Sequence, residues 1–289
     1  MTALGAELEA ALAVTLGSAA CKASPLSGGD INDAFELELE DGRRLFLKTN
    51  RAAPAGMFQA EARGLSWLAE ARALAVPSVV AVGDARVSFL VLELVEPGRR
   101  RRGFDEELGR ALAVLHRASP GAFGLDHDNF IGRLPQSNRA HARWADFFQS
   151  ERLEPQLRLA SEQGRASNGM RRGFERLFAR LGELLGPEEP PARLHGDLWG
   201  GNLHVTADGA PCLIDPAVYG GHREMDLAMM RLFGGFGERV FSAYSEAFPL
   251  APGHAERVPL YQLYPLLVHV NLFGGGYAAS VERVLQSCV

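Results

Sequence analysis

The sequence predicts an α+β fold of two unequal lobes, a small β-rich N-terminal one and a larger, mainly α-helical C-terminal one. Three observations predict it. At 289 residues the chain is long for one compact core, since domains usually run to roughly 100–200 residues. Period-two alternation dominates the first third, and helical spacing dominates the rest. A Pro97-Gly98 break separates the two patterns, which divides the chain at about 1–95 and 96–289.

The elements follow in order. Apolar residues at helical spacing from Leu4 to Leu16, stopped by Gly17, predict a short first helix. Phe35, Leu37 and Leu39, then Asp41-Gly42, then Leu45-Phe46-Leu47-Lys48, predict a hairpin with Asp-Gly as its turn. A helix carrying Glu61 is expected over 57–73, ended by Val76-Pro77, before strands built on Val79, Val80 and Val82 and on 87–95. Beyond Phe104 the spacing of Leu108, Leu112 and Leu115 is helical, as are 144–159 and 170–185. Past the Pro187 to Pro191 break, Leu203-His204-Val205 and Cys212-Leu213-Ile214 predict a second small hairpin bearing loops.

Composition narrows the function. No apolar run reaches the roughly 20 residues of a membrane helix. The N-terminus has no basic region leading into an apolar stretch, and the expectation is a soluble, cytoplasmic protein. A net charge of -5 argues against general nucleic-acid affinity, and the run Arg99 to Arg102 is expected to be a solvated loop. Cys21, Cys212 and Cys288 are odd in number and far apart, which suits reduced thiols.

The chemistry concentrates in His195-Gly196-Asp197-Leu198-Trp199-Gly200-Gly201-Asn202, followed after the hairpin by Leu213-Ile214-Asp215-Pro216. Phosphoryl transfer needs a carboxylate beside the acceptor hydroxyl and further oxygen ligands that place magnesium on the phosphates. Asp197 fits the base, and Asn202 and Asp215 fit the metal ligands. Upstream, Lys48 ends an apolar strand and Glu61 lies in the next helix, the pairing in which a lysine holds ATP phosphates and a glutamate fixes the lysine. Gly28, Gly29, Asp30, Ile31 and Asn32 precede a strand and suit backbone approach to phosphate, with a simple hairpin turn as the lesser alternative. Where the apolar run Phe89 to Val95 meets the hinge, the backbones of Glu93 and Val95 are the expected adenine contacts. The interval from Pro216 to Asp226 is too short for an activation segment, which disfavours a protein kinase.

With these residues in place, the chain resembles the fructosamine kinase (ketosamine-3-kinase) family, relatives of aminoglycoside and choline kinases with a protein-kinase-like fold. The resemblance spans nearly the whole chain. It rests on Ser27 to Asn32, on Asp128-Asn129-Phe130-Ile131-Gly132 with Gln136 and Asn138, on Trp144 to Phe148 with Arg152, on the catalytic segment with Trp199, on Tyr219 to Ala228, and on Phe273-Gly274-Gly275-Gly276-Tyr277. It implies ATP-dependent phosphorylation of the O3 hydroxyl of a small-molecule or protein-bound ketosamine, leading to deglycation. It further implies that Asp226 braces the catalytic loop, that Trp199 either walls the acceptor pocket or packs beneath the catalytic loop, and that His222 and Arg223 lie either at the substrate rim or on the surface. Some relatives carry a cysteine in the glycine-rich loop. This chain does not, so no redox switch is expected there. Two alternatives remain: an aminoglycoside, choline or homoserine kinase of the same fold, and an inactive nucleotide-binding scaffold.

Overall fold

The computed structural model describes residues 4–26, 32–84 and 87–288. Gly28, Gly29, Asp30 and Ile31 lie outside the described residues. The N-terminal lobe holds α1 (Ala6–Leu16), β1 (Ala20–Pro25), β2 (Asp33–Leu39), β3 (Arg44–Asn50), α2 (Met57–Glu70), β4 (Val79–Asp84) and β5 (Ser88–Glu93). Its strands form one antiparallel sheet in the order β1-β2-β3-β5-β4.

Local chemistry accounts for the elements. Helix α1 ends where Gly17 takes a left-handed φ of 70° and returns its amide to Ala13 O. Gly42, at φ 86°, closes the β2–β3 hairpin that Asp41-Gly42 predicts. Leu37, Leu39, Leu45 and Leu47 point inward from that hairpin against Leu8 and Leu12 of α1. Helix α2 stops at Glu70, three residues short of expectation.

The C-terminal lobe is mainly helical: α3 (Phe104–Arg117), α4 (Trp144–Phe147), α5 (Glu154–Glu162), α6 (Asn168–Leu184), α7 (Glu224–Phe233), α8 (Glu238–Ala247), α9 (His254–Phe273) and α10 (Tyr277–Cys288). Short strand pairs β6 (Asn129–Ile131) with β7 (Leu134–Gln136), β8 (Ala192–Leu194) with β11 (Tyr219–Gly221), and β9 (Leu203–Val205) with β10 (Pro211–Leu213) carry its loops. The acidic first turn of α3 and its His116-Arg117 end both suit the helix dipole. Ser167 caps α6 by accepting from the Met170 amide at 3.0 Å. Between α4 and α5 the helix widens into a π turn over Phe148–Leu153, which the sequence pattern does not reveal.

A shared core joins the lobes: Leu68 of α2 packs with Leu108 and Leu112 of α3 and with Leu198, Leu213 and Val218 around the catalytic hairpin. A backbone bond reinforces it, Leu213 N to Ala75 O at 2.9 Å, and just past the hinge Gly98 N donates to Val205 O at 2.9 Å within the C-terminal lobe. The arginine run is a solvated loop as expected, with Arg101 paired to Glu107 at 2.6 Å and Asp208 at 3.1 Å. All three cysteines are free, and burial pushes the Cys212 thiol up to about 12.

Candidate active site

Residues from both lobes meet at Lys48. Its Nζ donates to Glu61 Oε1 at 2.8 Å and to Asp215 Oδ1 at 2.7 Å. The sheet makes this possible, because Lys48 sits on the central strand β3 opposite Leu90 of β5, and α2 lays Glu61 across the same face. Burial would lower the ammonium pKa, but the Asp215 and Glu61 carboxylates outweigh it and keep the group charged. Burial pushes the Glu61 carboxyl up, and Lys48 pulls it back.

The chain of contacts continues through the C-terminal lobe. Asn202 Nδ2 donates to Asp197 O at 2.8 Å and Oδ2 at 3.2 Å, and reaches Asp215 O at 3.4 Å. Glu61, Lys48, Asp215, Asn202 and Asp197 therefore form one connected set. Asp197 is pushed up to about 7, first by burial and then by the neighbouring Asp215 carboxylate, while the Asn202 bond opposes both. A carboxyl poised there can accept a proton near neutral pH.

The loop that carries Asp197 is held from below. Asp226 accepts from the His195 amide at 2.8 Å and the Gly196 amide at 2.9 Å, and its Oδ2 lies 3.3 Å from His116 Nε2. Behind it, His116 Nδ1 lies 2.9 Å from the Tyr244 hydroxyl. His195 Nε2 donates to Ile214 O at 2.9 Å, which leaves Nδ1 to accept from the Asp197 amide at 3.3 Å. Burial lowers its pKa, in keeping with a neutral ring. Gly196 is required twice over: its φ is +81°, and a Cβ there would stand 2.0 Å from Ala217 O. Asp215 itself has φ 53°, a left-handed conformation that aspartate tolerates better than most residues.

Asp215 Oδ2 and the Asn202 carboxamide oxygen accept no hydrogen bond among the described residues. Two hard oxygen donors suit magnesium, which is commonly bound by one or two protein ligands together with substrate phosphates. No cluster of three acidic, histidine or cysteine side chains that could hold a metal ion exists among the described residues.

The remaining predicted residues divide. Asn32 Oδ1 accepts from Asn50 Nδ2 at 3.0 Å, next to Lys48 on β3. The Glu93 amide is used by Ser78 O at 2.9 Å, so it is not free for adenine. The Val95 amide has no backbone partner among the described residues. Trp199 is 42% exposed and does not pack beneath the catalytic loop; its ring lies across Gly201, where a Cβ would come within 2.3 Å of it. His222 is a correction. It is only 2% exposed and stacks on Tyr261 at 5.2 Å inside the helical core, so it does not stand at an acceptor rim. Burial pushes it down to about 4, a neutral core histidine. Arg223 beside it is structural as well, held by Glu189 and the carbonyls of Phe248 and Pro249.

Sequence reasoning missed His116, Tyr244 and Tyr264 as supports of the site. Their only signal was an apolar helical context, which any core residue shares.

Comparison with known proteins supplies the last observation. The model of the family described as fructosamine kinase matches residues 6–289. A probable ketoamine kinase of Synechocystis is 42% identical over 91% of this chain and 89% of its own. A chloroplastic protein-ribulosamine 3-kinase of Arabidopsis thaliana is 37% identical over 92% of this chain and 82% of its own. A crystal structure from Thermobifida fusca, assigned to fructosamine-3-kinase, superposes with a TM-score of 0.89 at 37% identity, covering 98% of this chain and 99% of the other.

Proposed function

The chain belongs to the fructosamine kinase family, and from that premise we propose that it transfers the γ-phosphate of ATP to the O3 hydroxyl of a ketosamine, free or protein-bound. The observation that carries this reading is the connected set from Glu61 to Asp197, which unites a phosphate-binding lysine, two oxygen donors for a metal and a base titrating near neutrality. Residues 1–95 form the nucleotide lobe and 96–289 the catalytic lobe.

In this mechanism the backbones of Glu93 and Val95 hold adenine at the hinge. Lys48 turns part of its charge from Asp215 to the phosphates while Glu61 keeps it in place. Magnesium, held by Asn202 and Asp215 with phosphate oxygens, would neutralise charge on the transferring group. Asp197 accepts the O3 proton as the O3–P bond forms and the bond from γ-phosphorus to the β-phosphate oxygen breaks, releasing ADP. Trp199, exposed beside Asp197, walls the acceptor. Because the transition state is loose, placement of the hydroxyl contributes more than proton removal. With phosphate on C3 of the product, proton loss from C1 lets phosphate leave, and hydrolysis of the resulting imine frees the amine. The protein would thus begin deglycation.

No helix among the described residues is long and apolar enough to cross a membrane. The three free thiols support our placing the reaction in a reducing, ATP-containing cytoplasm.

The deciding experiment is magnesium-dependent ADP release with ribulosamine and fructosamine forms of lysine, beside choline and an aminoglycoside, using Asp197→Asn as blank. Turnover confined to the ketosamines is expected. Turnover on choline or the aminoglycoside instead would overturn the acceptor, and none on any compound would favour an inactive scaffold.

A further inference from the structure

Behind the turn that carries Asp215 lies a buried polar array that the mechanism does not use. Arg152, presented inward by the π turn, is fully buried, and no carboxylate among the described residues pairs with it. Burying a guanidinium without a counter-ion is costly, so its surroundings have to compensate. They do so with carbonyls and rings: Nη1 donates to Ser137 O at 2.6 Å and Glu151 O at 3.0 Å, and the group lies 3.9 Å from the centre of the Tyr219 ring.

The other arm of the guanidinium starts a directed chain. Arg152 Nη2 donates to Asn138 Oδ1 at 2.7 Å, Asn138 Nδ2 donates to Asn129 Oδ1 at 2.9 Å, and Asn129 Nδ2 donates to Val218 O at 2.8 Å. A branch joins it: Tyr264 donates to Gln136 Oε1 at 2.5 Å, and Gln136 Nε2 donates to Asn129 Oδ1 at 2.8 Å and to Ala217 O at 3.1 Å. The line from Arg152 through Asn138 and Asn129 runs in one donor direction to the Val218 carbonyl, so each of its bonds polarises the next, while the second Asn138 amide hydrogen goes to His127 O at 3.1 Å and the Tyr264–Gln136 branch ends on the Ala217 carbonyl. Those carbonyls lie two and three residues after Asp215. The Ala217 amide in turn donates to His195 O at 2.9 Å, which ties the same segment to the catalytic loop.

We propose that Arg152, acting through Asn138 and Asn129, is a positioning residue that fixes the 215–218 turn, and with it the metal-binding carboxylate of Asp215. The proposal rests on the reading of Asp215 as a metal ligand. Asp215 is held from in front by Lys48 at 2.7 Å and Asn202 at 3.4 Å in a left-handed conformation, and the array supplies two fixed anchors immediately downstream, behind the carboxylate. A purely space-filling array would have no need for a charged origin linked by two amides to the Val218 carbonyl.

The test is manganese affinity, read by electron paramagnetic resonance in the presence of a non-hydrolysable ATP analogue, together with turnover and thermal midpoint. Asn138→Leu severs the chain at close to constant volume, and we expect manganese to bind about tenfold more weakly and kcat to fall about tenfold, with acceptor KM unchanged. Arg152→Lys, which keeps the charge, should recover part of what Arg152→Met loses; if Arg152→Met does not fold, Asn138→Leu decides. A folded Asn138→Leu protein with a lower thermal midpoint but unaltered manganese affinity and kcat would overturn the proposal and leave the array a packing feature. Asp215→Asn is the control. If it leaves manganese affinity intact, the metal-ligand reading itself fails and this proposal falls with it, an outcome distinct from failure of the Asn138 variant alone.

Discussion

Asp197→Asn has a consequence that can be read without any substrate. In the folded protein the Asp197 carboxyl is pushed up to about 7 by burial and by Asp215, whereas in an unfolded chain it titrates near its ordinary value of about 3.9. Below the unfolded value both states hold the proton and the group is neutral in its effect. As pH rises, the unfolded chain releases its proton first, so stability falls until the folded carboxyl also ionises near neutrality. Three pH units would correspond to about 4 kcal/mol, and the partial exposure of the carboxylate reduces this to about 2 kcal/mol. Asparagine carries no such penalty. Urea unfolding of the metal-free protein at about pH 5 and about pH 8 should therefore show the variant gaining roughly 1.5 kcal/mol on the parent across that interval. Other titrating groups are common to both proteins and cancel in the difference. An unchanged or reversed difference would refute the raised carboxyl, and with it the assignment of Asp197 as a base poised near neutral pH. The same variant should lose about 100-fold in kcat with little change in ATP KM.

Three further outcomes are expected. Lys48→Met leaves Glu61 buried beside Asp215 without its cation; it should abolish measurable turnover and cost about 3 kcal/mol at alkaline pH, less at acidic pH where Glu61 takes up a proton, as checked by denaturant unfolding. Gly196→Ala drives a Cβ into Ala217 O and forces a left-handed alanine, so unfolding measurements should show a loss of at least about 2 kcal/mol and assays a loss of activity. Trp199→Ala removes an exposed ring, and should leave stability within about 0.5 kcal/mol and ATP KM unaltered while raising acceptor KM about fivefold.

What the sequence made legible follows from how local each signal is. The stretch from His195 to Asn202 and the Asp215 beyond it lie close enough together that spacing alone implied a shared site. The five-residue step from Asp197 to Asn202 places the Asn202 amide on the Asp197 carboxylate. Lys48 and Glu61 were legible only as a pattern, because their 2.8 Å contact depends on how α2 packs across the sheet. The first strand was not legible: Ala20–Pro25 has no apolar alternation and sits at a sheet edge, where half its backbone needs no partner. His222 was misplaced for a related reason. Polar neighbours Arg223 and Glu224 give the segment a surface character, yet both are buried in ion pairs with Glu189 and Arg257, and the histidine goes inward with them. Burial of a charged residue is decided by a partner distant in sequence, which composition and periodicity do not register.

The two-lobed, protein-kinase-like architecture gives the Lys48 contacts a further meaning. Glu61 belongs to the N-terminal lobe and Asp215 to the C-terminal lobe, so the ammonium between them reports the distance between lobes. The backbone bond from Leu213 to Ala75 O ties the lobes behind α2, on the far side of the Lys48 contacts. The Glu61–Lys48–Asp215 cluster itself carries two carboxylates to one ammonium, which favours a nucleotide that arrives with its cation over a bare one. On the proposed reading of Lys48 and Asp215, nucleotide binding would exchange the pair between them for phosphate and metal contacts. The raised Asp197 carboxyl belongs to the same balance, since a cation beside Asp215 would lower it and prepare the base only when the phosphate donor is in place.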